Sequence, residues 1–224
     1  MGADCQNPLK RIDPDNPDAH RINYYTNWSA TGKYVSGTDV GQGKGGDYSV
    51  TVVLDCSGKP RVVADIMEND MNEEAFTALS VALLRKYHSP MWAIEDNGPG
   101  GTVLHIARQL MYRHLYYRET NTARGGTPHQ RKDPGWHTDE KSRKDMWGDL
   151  RAEIDKAGIV IPSRPGLMQF FDIMIDYSKE PPRPAARSGA HDDYPTALAI
   201  AWQMKPYAHA SFAGDKIVAM PRSN

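Results

Sequence analysis

The stretch "TDVGQGKGGDYSVTV", residues 38–52, decides how the rest of the chain is interpreted. Gly41, Gly43 and Gly46 have the G-x-G-x-x-G spacing of a dinucleotide-binding loop, which requires a helix directly after the glycines. The residues that follow, "DYSVTVVLD", are instead rich in β-branched and aromatic side chains and predict a strand, as does "KYVSGTDV" before them. The glycines therefore indicate a hairpin loop that tolerates positive φ. This pattern argues against a dinucleotide-binding enzyme, and we expect the chain to bind no nucleotide.

Length and composition predict one sizeable α/β domain, since the chain has 224 residues of which 39% are hydrophobic. No run of about 18 apolar residues predicts a membrane span, and the N-terminus lacks the apolar core of a signal peptide. We therefore expect a cytoplasmic protein. Cys5 and Cys56 are too few for a disulfide framework or a zinc site.

Positive charge is concentrated in one part of the chain, although the net charge is only −1. Residues 101–151 contain ten Lys and Arg against six Asp and Glu. This local excess fits a nucleic-acid surface and fits solvated helix faces equally well.

The order of elements predicts a sheet flanked by helices. Three strands at 34–40, 47–54 and 60–68 form a meander, and the short apolar run "MWAIE" is a fourth strand. A helix begins after Asn72, which is a good N-cap residue. We predict further helices at 101–112, 138–157, 165–176 and 192–204, and loops at 119–136 and 177–189. Residues 1–33 read as a linker or arm, 34–207 as the domain and 208–224 as a tail.

Carboxylates stand at three ends of these predicted elements. Asp39 ends the first strand, Glu95 ends the fourth, and Asp192 and Asp193 open the last helix. Each has an ordinary interpretation, as a turn cap, a solvated strand-end acid or an N-cap pair. If the first and fourth strands are neighbours, however, Asp39 and Glu95 end side by side and the last helix begins against them.

Such a cluster predicts a metal site. Carboxylates within about 4–6 Å of one another repel strongly unless a divalent cation neutralises them. Oxygen ligands suit Mg²⁺ or Mn²⁺ rather than zinc. Two such ions sharing a carboxylate are what two-metal phosphodiester hydrolysis requires.

Five segments resemble, in order, the nuclease domain of the large terminase subunit of tailed bacteriophages. They are "YVSGTDVGQGKGGDYSVTVV", "WAIEDNGPGG", "KSRKDMWGDLRAEIDKAGIVIPS", "LMQFFDIM" and "GAHDDYPTALAIAWQM", and the resemblance covers about 34–204. It implies a ribonuclease H-like fold: a mixed sheet of five or more strands, an antiparallel meander and then parallel strands, flanked by helices. It also implies a metal-dependent endonuclease that cuts concatemeric double-stranded viral DNA during packaging.

The resemblance implies roles for individual residues. Asp39 is similar to the first-strand ligand shared by two Mg²⁺ or Mn²⁺ ions, and Glu95 to the fourth-strand ligand. Asp192 and Asp193 match the paired acids that open the last helix. Asp47 resembles an accessory acid, and His191 is either a structural residue or one that touches a metal or the scissile phosphate.

Candidate DNA contacts are basic residues near the expected cleft. They are Lys44 in the glycine loop, Lys141, Arg143 and Lys144 at the start of a helix, and Arg183 and Arg187 in the predicted loop at 177–189. The alternative is that these surface cations serve only solubility.

The sequence departs from a full terminase in one respect. No G-x-x-x-x-G-K-[ST] phosphate-binding loop is present, so we expect no ATPase motor in this chain, with residues 1–33 as the remnant of a linker. The resemblance implies double-stranded DNA, the portal and the small terminase subunit as partners, in the host cytoplasm.

Two alternatives stay open at this point. A junction resolvase or transposase-like nuclease of the same fold would prefer branched to linear DNA. A non-catalytic docking domain of the packaging motor would be indifferent to Asp39→Ala.

Overall fold

The computed structural model describes residues 5–9, 17–42, 46–124, 127–178, 180 and 182–209. Among these residues no helix has the length and apolar character needed to cross a bilayer.

The centre of the fold is a five-stranded mixed sheet. Its strands are β1 (Asn23–Tyr24), β2 (Tyr34–Asp39), β3 (Ser49–Asp55), β4 (Arg61–Glu68) and β5 (Met91–Ile94), in the order β1-β4-β3-β2-β5. β2, β3 and β4 form the predicted antiparallel meander, and β5 runs parallel to β2. The predicted adjacency of the first and fourth strands of the domain is therefore confirmed.

Helices cover both faces of the sheet. They are α1 (Glu73–Lys86), α2 (Gly100–Gln109), α3 (Glu140–Asp155), α4 (Arg164–Phe171) and α5 (Asp193–Gln203). Because successive strand residues point to opposite faces, Val53 packs with the α1 and α2 side chains while Val52 and Leu54 pack with α3, α4 and α5. The predicted N-cap of α1 is confirmed, since Asn72 Oδ1 accepts the Ala75 N–H at 2.8 Å.

Helix α5 lies directly on β2 because a glycine leaves room for it. A Cβ atom at Gly37 would lie 2.3 Å from both the Ala197 carbonyl oxygen and the Ala201 nitrogen. The face of α5 that meets the sheet is small and fully buried, with Ala197 and Ala201 at 0% exposure. This close approach brings the start of α5 to the edge of the sheet where β2 ends.

Two hairpins lie outside the central sheet, where loops were predicted. β6 (Tyr117–Arg124) pairs antiparallel with β7 (Thr127–Pro134), so the prediction of a loop at 119–136 was wrong. β8 (Ile173–Asp176) pairs with β9 (Arg183–Ala186), which lies inside the second predicted loop. Helix α4 accordingly ends at Phe171 and not near residue 176, because the chain from Ile173 onward forms ladder hydrogen bonds with β9.

Part of the predicted N-terminal arm packs on the sheet. A 3₁₀ turn, Pro17–Arg21, leads into β1, which pairs with the edge of β4. Ile22 and Tyr24 are buried at 1% and 2% exposure, so this portion adds to the core. Arg21 Nη1 forms ion pairs with Glu68 at 2.5 Å and Asp70 at 2.8 Å. The division at residue 33 stays a prediction, and most of the predicted tail lies outside the described residues.

Candidate metal centre

Two carboxylates meet at the edge of the sheet where the parallel strands β2 and β5 end. Thr38 is in register with Ile94, and the Glu95 N–H donates to the Thr38 carbonyl at 2.9 Å. Asp39 comes directly after Thr38 and Glu95 directly after Ile94, so the two acids lie side by side at this edge of the sheet. Their carboxyl groups are close enough to share a hydrogen bond. Glu95 is 8% exposed and Asp39 is partly buried.

The start of α5 adds two more acids. Asp192 is the N-cap residue, but its side chain forms no capping hydrogen bond. Its Oδ2 lies 3.5 Å from Arg143 Nη1 of α3 instead. The Asp193 Oδ2 accepts the Tyr48 N–H at 3.0 Å, which ties the start of α5 to the turn between β2 and β3. The structure thus brings Asp39, Glu95, Asp192 and Asp193 together.

Negative charge dominates the electrostatics of this cluster, since Arg143 lies beside Asp192 alone among its four acids. Burial raises the pKa of the Asp39 carboxyl well above its usual range, and the charges of Glu95, Asp193 and Asp192 and a hydrogen bond with Glu95 raise it further. Burial likewise raises the pKa of Asp193 to about 6, with Asp47 and Asp192 adding to the effect and the Tyr48 N–H opposing it. A cation among these carboxylates would reverse both shifts.

A histidine joins the acids on the side of α5. Asp47, His191 and Asp193 each offer one ligand atom, and the three atoms lie within 4.8 Å of one another. His191 Nδ1 is 3.5 Å from Asp193 Oδ2 and 3.7 Å from Asp47 Oδ1, and this buried atom has no hydrogen-bond partner among the residues that the structure describes. The Tyr48 ring packs edge-on against the imidazole, with centroids 5.1 Å apart. Asp39, Glu95 and Asp192 are outside this set, and Asp39 interacts with it through the charge of Asp193.

The loop that carries Asp47 is closed by a glycine of the opening motif. A Cβ atom at Gly41 would lie 2.4 Å from the Asp47 carbonyl oxygen, so the two sides of the loop approach closely at this residue. β3 begins at Ser49, directly after the loop, which confirms that the glycines join two strands.

The predicted DNA contacts do not all lie on one surface. Lys141, Lys144 and Arg183 line a cleft of about 470 Å³ between the start of α3 and the β8–β9 hairpin, together with Asp139, Glu140 and Pro182. Arg143 is directed instead to Asp192. Arg187 pairs with Asp172 at 2.6 Å, at the base of the hairpin. Lys44 lies outside the described residues.

Sequence reasoning missed the residues that surround Glu95. Asp96 accepts hydrogen bonds from Arg118 and from His137 Nδ1, the latter at 2.8 Å. The Asn97 amide reaches Glu95 and the Thr138 carbonyl oxygen. Asp96 and Asn97 could have been found from their position in the sequence, because both directly follow the strand-end acid Glu95 in the turn "EDNGPGG".

The sheet order, the helical layers and the acids at the ends of β2 and β5 define the ribonuclease H-like class of folds. No family model and no curated protein sequence matches the chain.

Among solved structures the chain is similar to nuclease domains of large terminases. That of thermophilic phage G20c with bound magnesium has a TM-score of 0.65 at 16% identity, covering 89% of this chain and 92% of that chain. The form with bound cobalt gives the same values. The large terminase nuclease domain of Thermus phage P74-26 has a TM-score of 0.64 at 17% identity, covering 95% and 94%. The predicted fold and its resemblance to terminase nucleases are therefore confirmed.

Proposed function

We propose that this chain is a metal-dependent endonuclease that cuts concatemeric double-stranded viral DNA during genome packaging by two-metal-ion phosphodiester hydrolysis. The observation that carries the proposal is the convergence of Asp39, Glu95, Asp192 and Asp193 from three separate elements. Four buried or half-buried acids destabilise a fold unless a cation neutralises them, since burial and mutual repulsion both oppose their ionisation.

The donor set fits divalent ions. Carboxylate oxygens of Asp39, Glu95, Asp192 and Asp193 would hold Mg²⁺ or Mn²⁺, with Asp47 as an outer ligand. His191 Nδ1 is a buried ring nitrogen beside two carboxylates, with no hydrogen-bond partner in the described part of the chain, as expected of an atom that faces a cation. The G20c terminase nuclease is known with magnesium, cobalt and zinc bound, which supports a divalent ion in the same fold.

The chain's own residues would orient these ligands. Bound divalent ions supply an activated water and stabilise the leaving oxygen in phosphodiester hydrolysis. Asp39 is central, since it interacts with the other three acids, and it must lose its proton before the site is competent. The Tyr48 N–H fixes the Asp193 carboxylate, and Arg143 partly neutralises Asp192.

The basic cleft gives the DNA a place to bind. Lys141 and Lys144 lie on the same first turns of α3 as Arg143, which reaches the acidic cluster, so the cleft and the cluster are neighbours. We propose that Lys141, Lys144 and Arg183 contact phosphates, and that Lys44 of the glycine loop is a further contact. Arg187 and Lys141 have weaker claims, because Asp172 already pairs with Arg187 and Asp145 pairs with Lys141 at 2.7 Å.

The cellular setting follows from the same proposal. The partners are double-stranded DNA and, in a complete packaging motor, the portal and the small terminase subunit, in the host cytoplasm. We propose residues 34–207 as the nuclease domain, on which β1 packs as an added strand. The sequence has no P-loop motif, so DNA translocation is assigned to another polypeptide segment.

The experiment is digestion of supercoiled plasmid with Mn²⁺, Mg²⁺ or a chelator. Wild type should nick and linearise the plasmid with either metal and not with chelator. Asp39→Asn and Glu95→Gln keep side-chain shape and should each reduce the rate at least about a hundredfold, since each removes a charged ligand. Asp55→Asn is the matched control, because Asp55 ends β3 at the opposite edge of the sheet.

The outcomes separate the alternatives. If the Asp39→Asn variant cleaves plasmid at the wild-type rate, the activity belongs to a contaminant or to another site. Preference for a four-way junction over linear duplex would favour a resolvase. Absence of cleavage under every metal condition, with the metal bound, would favour a docking domain.

A further inference from the structure

Asn97 makes a contact that its position alone does not explain. It lies in the turn between β5 and α2, its side chain is exposed, and it contributes no packing to the core. Its Nδ2 lies 3.4 Å from Glu95 Oε1 and 2.9 Å from the Thr138 carbonyl oxygen. One exposed amide therefore joins an acid of the candidate metal centre to the segment that precedes α3.

The chemistry of the amide fits these two partners. An asparagine NH₂ group has two N–H donors, and here two oxygen acceptors lie within reach of Nδ2. The reversed amide would direct a carbonyl oxygen at a carboxylate and at another carbonyl. The orientation of the side chain is thus set by its partners.

The far partner of Asn97 is a fixed anchor. The segment before Thr138 is bonded to β5, with the Trp136 N–H donating to Ile94 O at 2.8 Å and the Asp96 N–H donating to Trp136 O at 2.8 Å. On the other side, Ser142 Oγ of α3 donates to His137 O at 2.9 Å. The two residues directly before Thr138 are therefore bonded to the sheet edge and to the first turn of α3.

Glu95 needs such an anchor because only its backbone is held by the sheet. The Glu95 N–H is bonded to Thr38, but the side chain has three rotatable bonds beyond Cα. Once Asp39 is ionised, its charge repels the Glu95 carboxylate towards solvent. A neutral donor next to Glu95 counters this movement without competing as a ligand, since an N–H group carries no lone pair for a metal.

We propose that Asn97 is a positioning residue that holds the Glu95 carboxylate in its metal-binding orientation by linking it to the Thr138 carbonyl. This inference rests on the proposed function, because it concerns a ligand of the same metal centre. Groups that orient ligands from outside the coordination sphere affect metal affinity by about 10- to 100-fold.

The test compares Asn97→Leu, which keeps the size of the side chain and removes both donors, with wild type. Mn²⁺ affinity is measured by electron paramagnetic resonance titration, and thermal unfolding is measured without metal. We expect Mn²⁺ to bind at least about tenfold more weakly to the variant, with metal-free melting unchanged because the side chain is exposed. The Mn²⁺ concentration for half-maximal plasmid cleavage should rise to match, while the rate at saturating Mn²⁺ changes less. Asn97→Ala provides a second variant with the same expectation.

Asn72→Ala is the matched control, since it removes the same chemical group from a helix cap remote from the acids. It should lower the melting temperature and leave Mn²⁺ affinity unchanged. Unaltered Mn²⁺ affinity in Asn97→Leu, or a loss that tracks a lower metal-free melting temperature, would overturn the inference while the proposed function stands. If wild type binds no Mn²⁺ at all, the proposed function falls first and the role of Asn97 with it.

Discussion

The Tyr48 N–H donates a hydrogen bond to Asp193 Oδ2 at 3.0 Å, across 145 residues of sequence. This contact joins the loop that carries Asp47 to the helix that carries Asp192 and Asp193. The backbone N–H is the strongest local influence that favours the ionised form of Asp193, and burial is the influence that opposes it. Burial outweighs the hydrogen bond, so the pKa of the Asp193 carboxyl is raised to about 6.

We predict that the metal-free protein loses stability as pH rises from about 4 to about 6. The folded pKa of Asp193 is raised to about 6 from an unfolded value near 3.9, so its contribution is fully present below the unfolded pKa. That contribution disappears as pH passes the folded pKa, and it amounts to no more than about 3 kcal/mol. The pKa of Asp39 is also raised, so its contribution to the stability of the folded protein likewise decreases as pH rises.

Urea unfolding at a series of pH values in chelator measures this effect. Asp193→Asn should flatten the slope between pH 4 and pH 6, because the amide does not titrate. A stability that instead rises with pH in wild type over that interval would contradict the raised pKa of Asp193.

We predict that Mn²⁺ or Mg²⁺ raises the melting temperature. A ligand at about 100 times its dissociation constant stabilises the folded state by about 2.7 kcal/mol if the unfolded chain does not bind it. For a chain of this length that is about 5–10 °C. Differential scanning fluorimetry with and without metal gives the shift, and Asp39→Asn should abolish most of it. An equal shift in Asp39→Asn would place the metal elsewhere.

We predict that the basic cleft sets the salt dependence of DNA binding. If Lys141, Lys144 and Arg183 each contact one phosphate, replacing any one of them with Ala should reduce the slope of log K against log salt by about 0.9. Fluorescence anisotropy with a labelled duplex, in Ca²⁺ to prevent cleavage, measures the slope. Lys59→Ala is the control, because Lys59 lies in the exposed turn between β3 and β4. If wild type and all of these variants gave the same slope, the cleft would be excluded as the DNA-binding surface.

We predict that Gly37→Ala destabilises the fold and disturbs the metal centre together. The new methyl group would lie 2.3 Å from backbone atoms of α5, so the helix must move away from β2. Overpacking of this kind costs about 1–3 kcal/mol or more. Denaturant unfolding should show the loss, and the metal-induced shift in melting temperature should shrink because α5 carries Asp193. Gly58→Ala, where no atom lies within 4 Å of the added carbon, should be nearly neutral.

Local sequence signals were enough to predict the sheet edge and its acids. The β-branched run from Ser49 to Leu54 identifies β3, and Asn72 identifies the start of α1. Asp39 and Glu95 could be placed side by side because a strand after a meander and a helix crossover pairs parallel with an earlier strand. The strand and the helix cap depend on residues close together in the chain, whereas the pairing of Asp39 with Glu95 also required the expectation that the first and fourth strands are neighbours.

The features that escaped prediction depend on contacts between distant segments. The β6–β7 hairpin has a largely polar sequence without clear alternation, so the side-chain pattern gives little sign of its antiparallel pairing. Arg143 was expected to face DNA, and its proximity to Asp192 follows only from how α3 packs against α5.

The close packing of α5 on β2 determines when the acidic cluster is completed during synthesis. The sheet and its strand-end acids leave the ribosome long before residue 193, yet the cluster needs the last helix to dock at Gly37. A partly made or truncated polypeptide therefore holds an incomplete set of ligands. Any activity that depends on the complete cluster can therefore appear only after α5 has docked on β2.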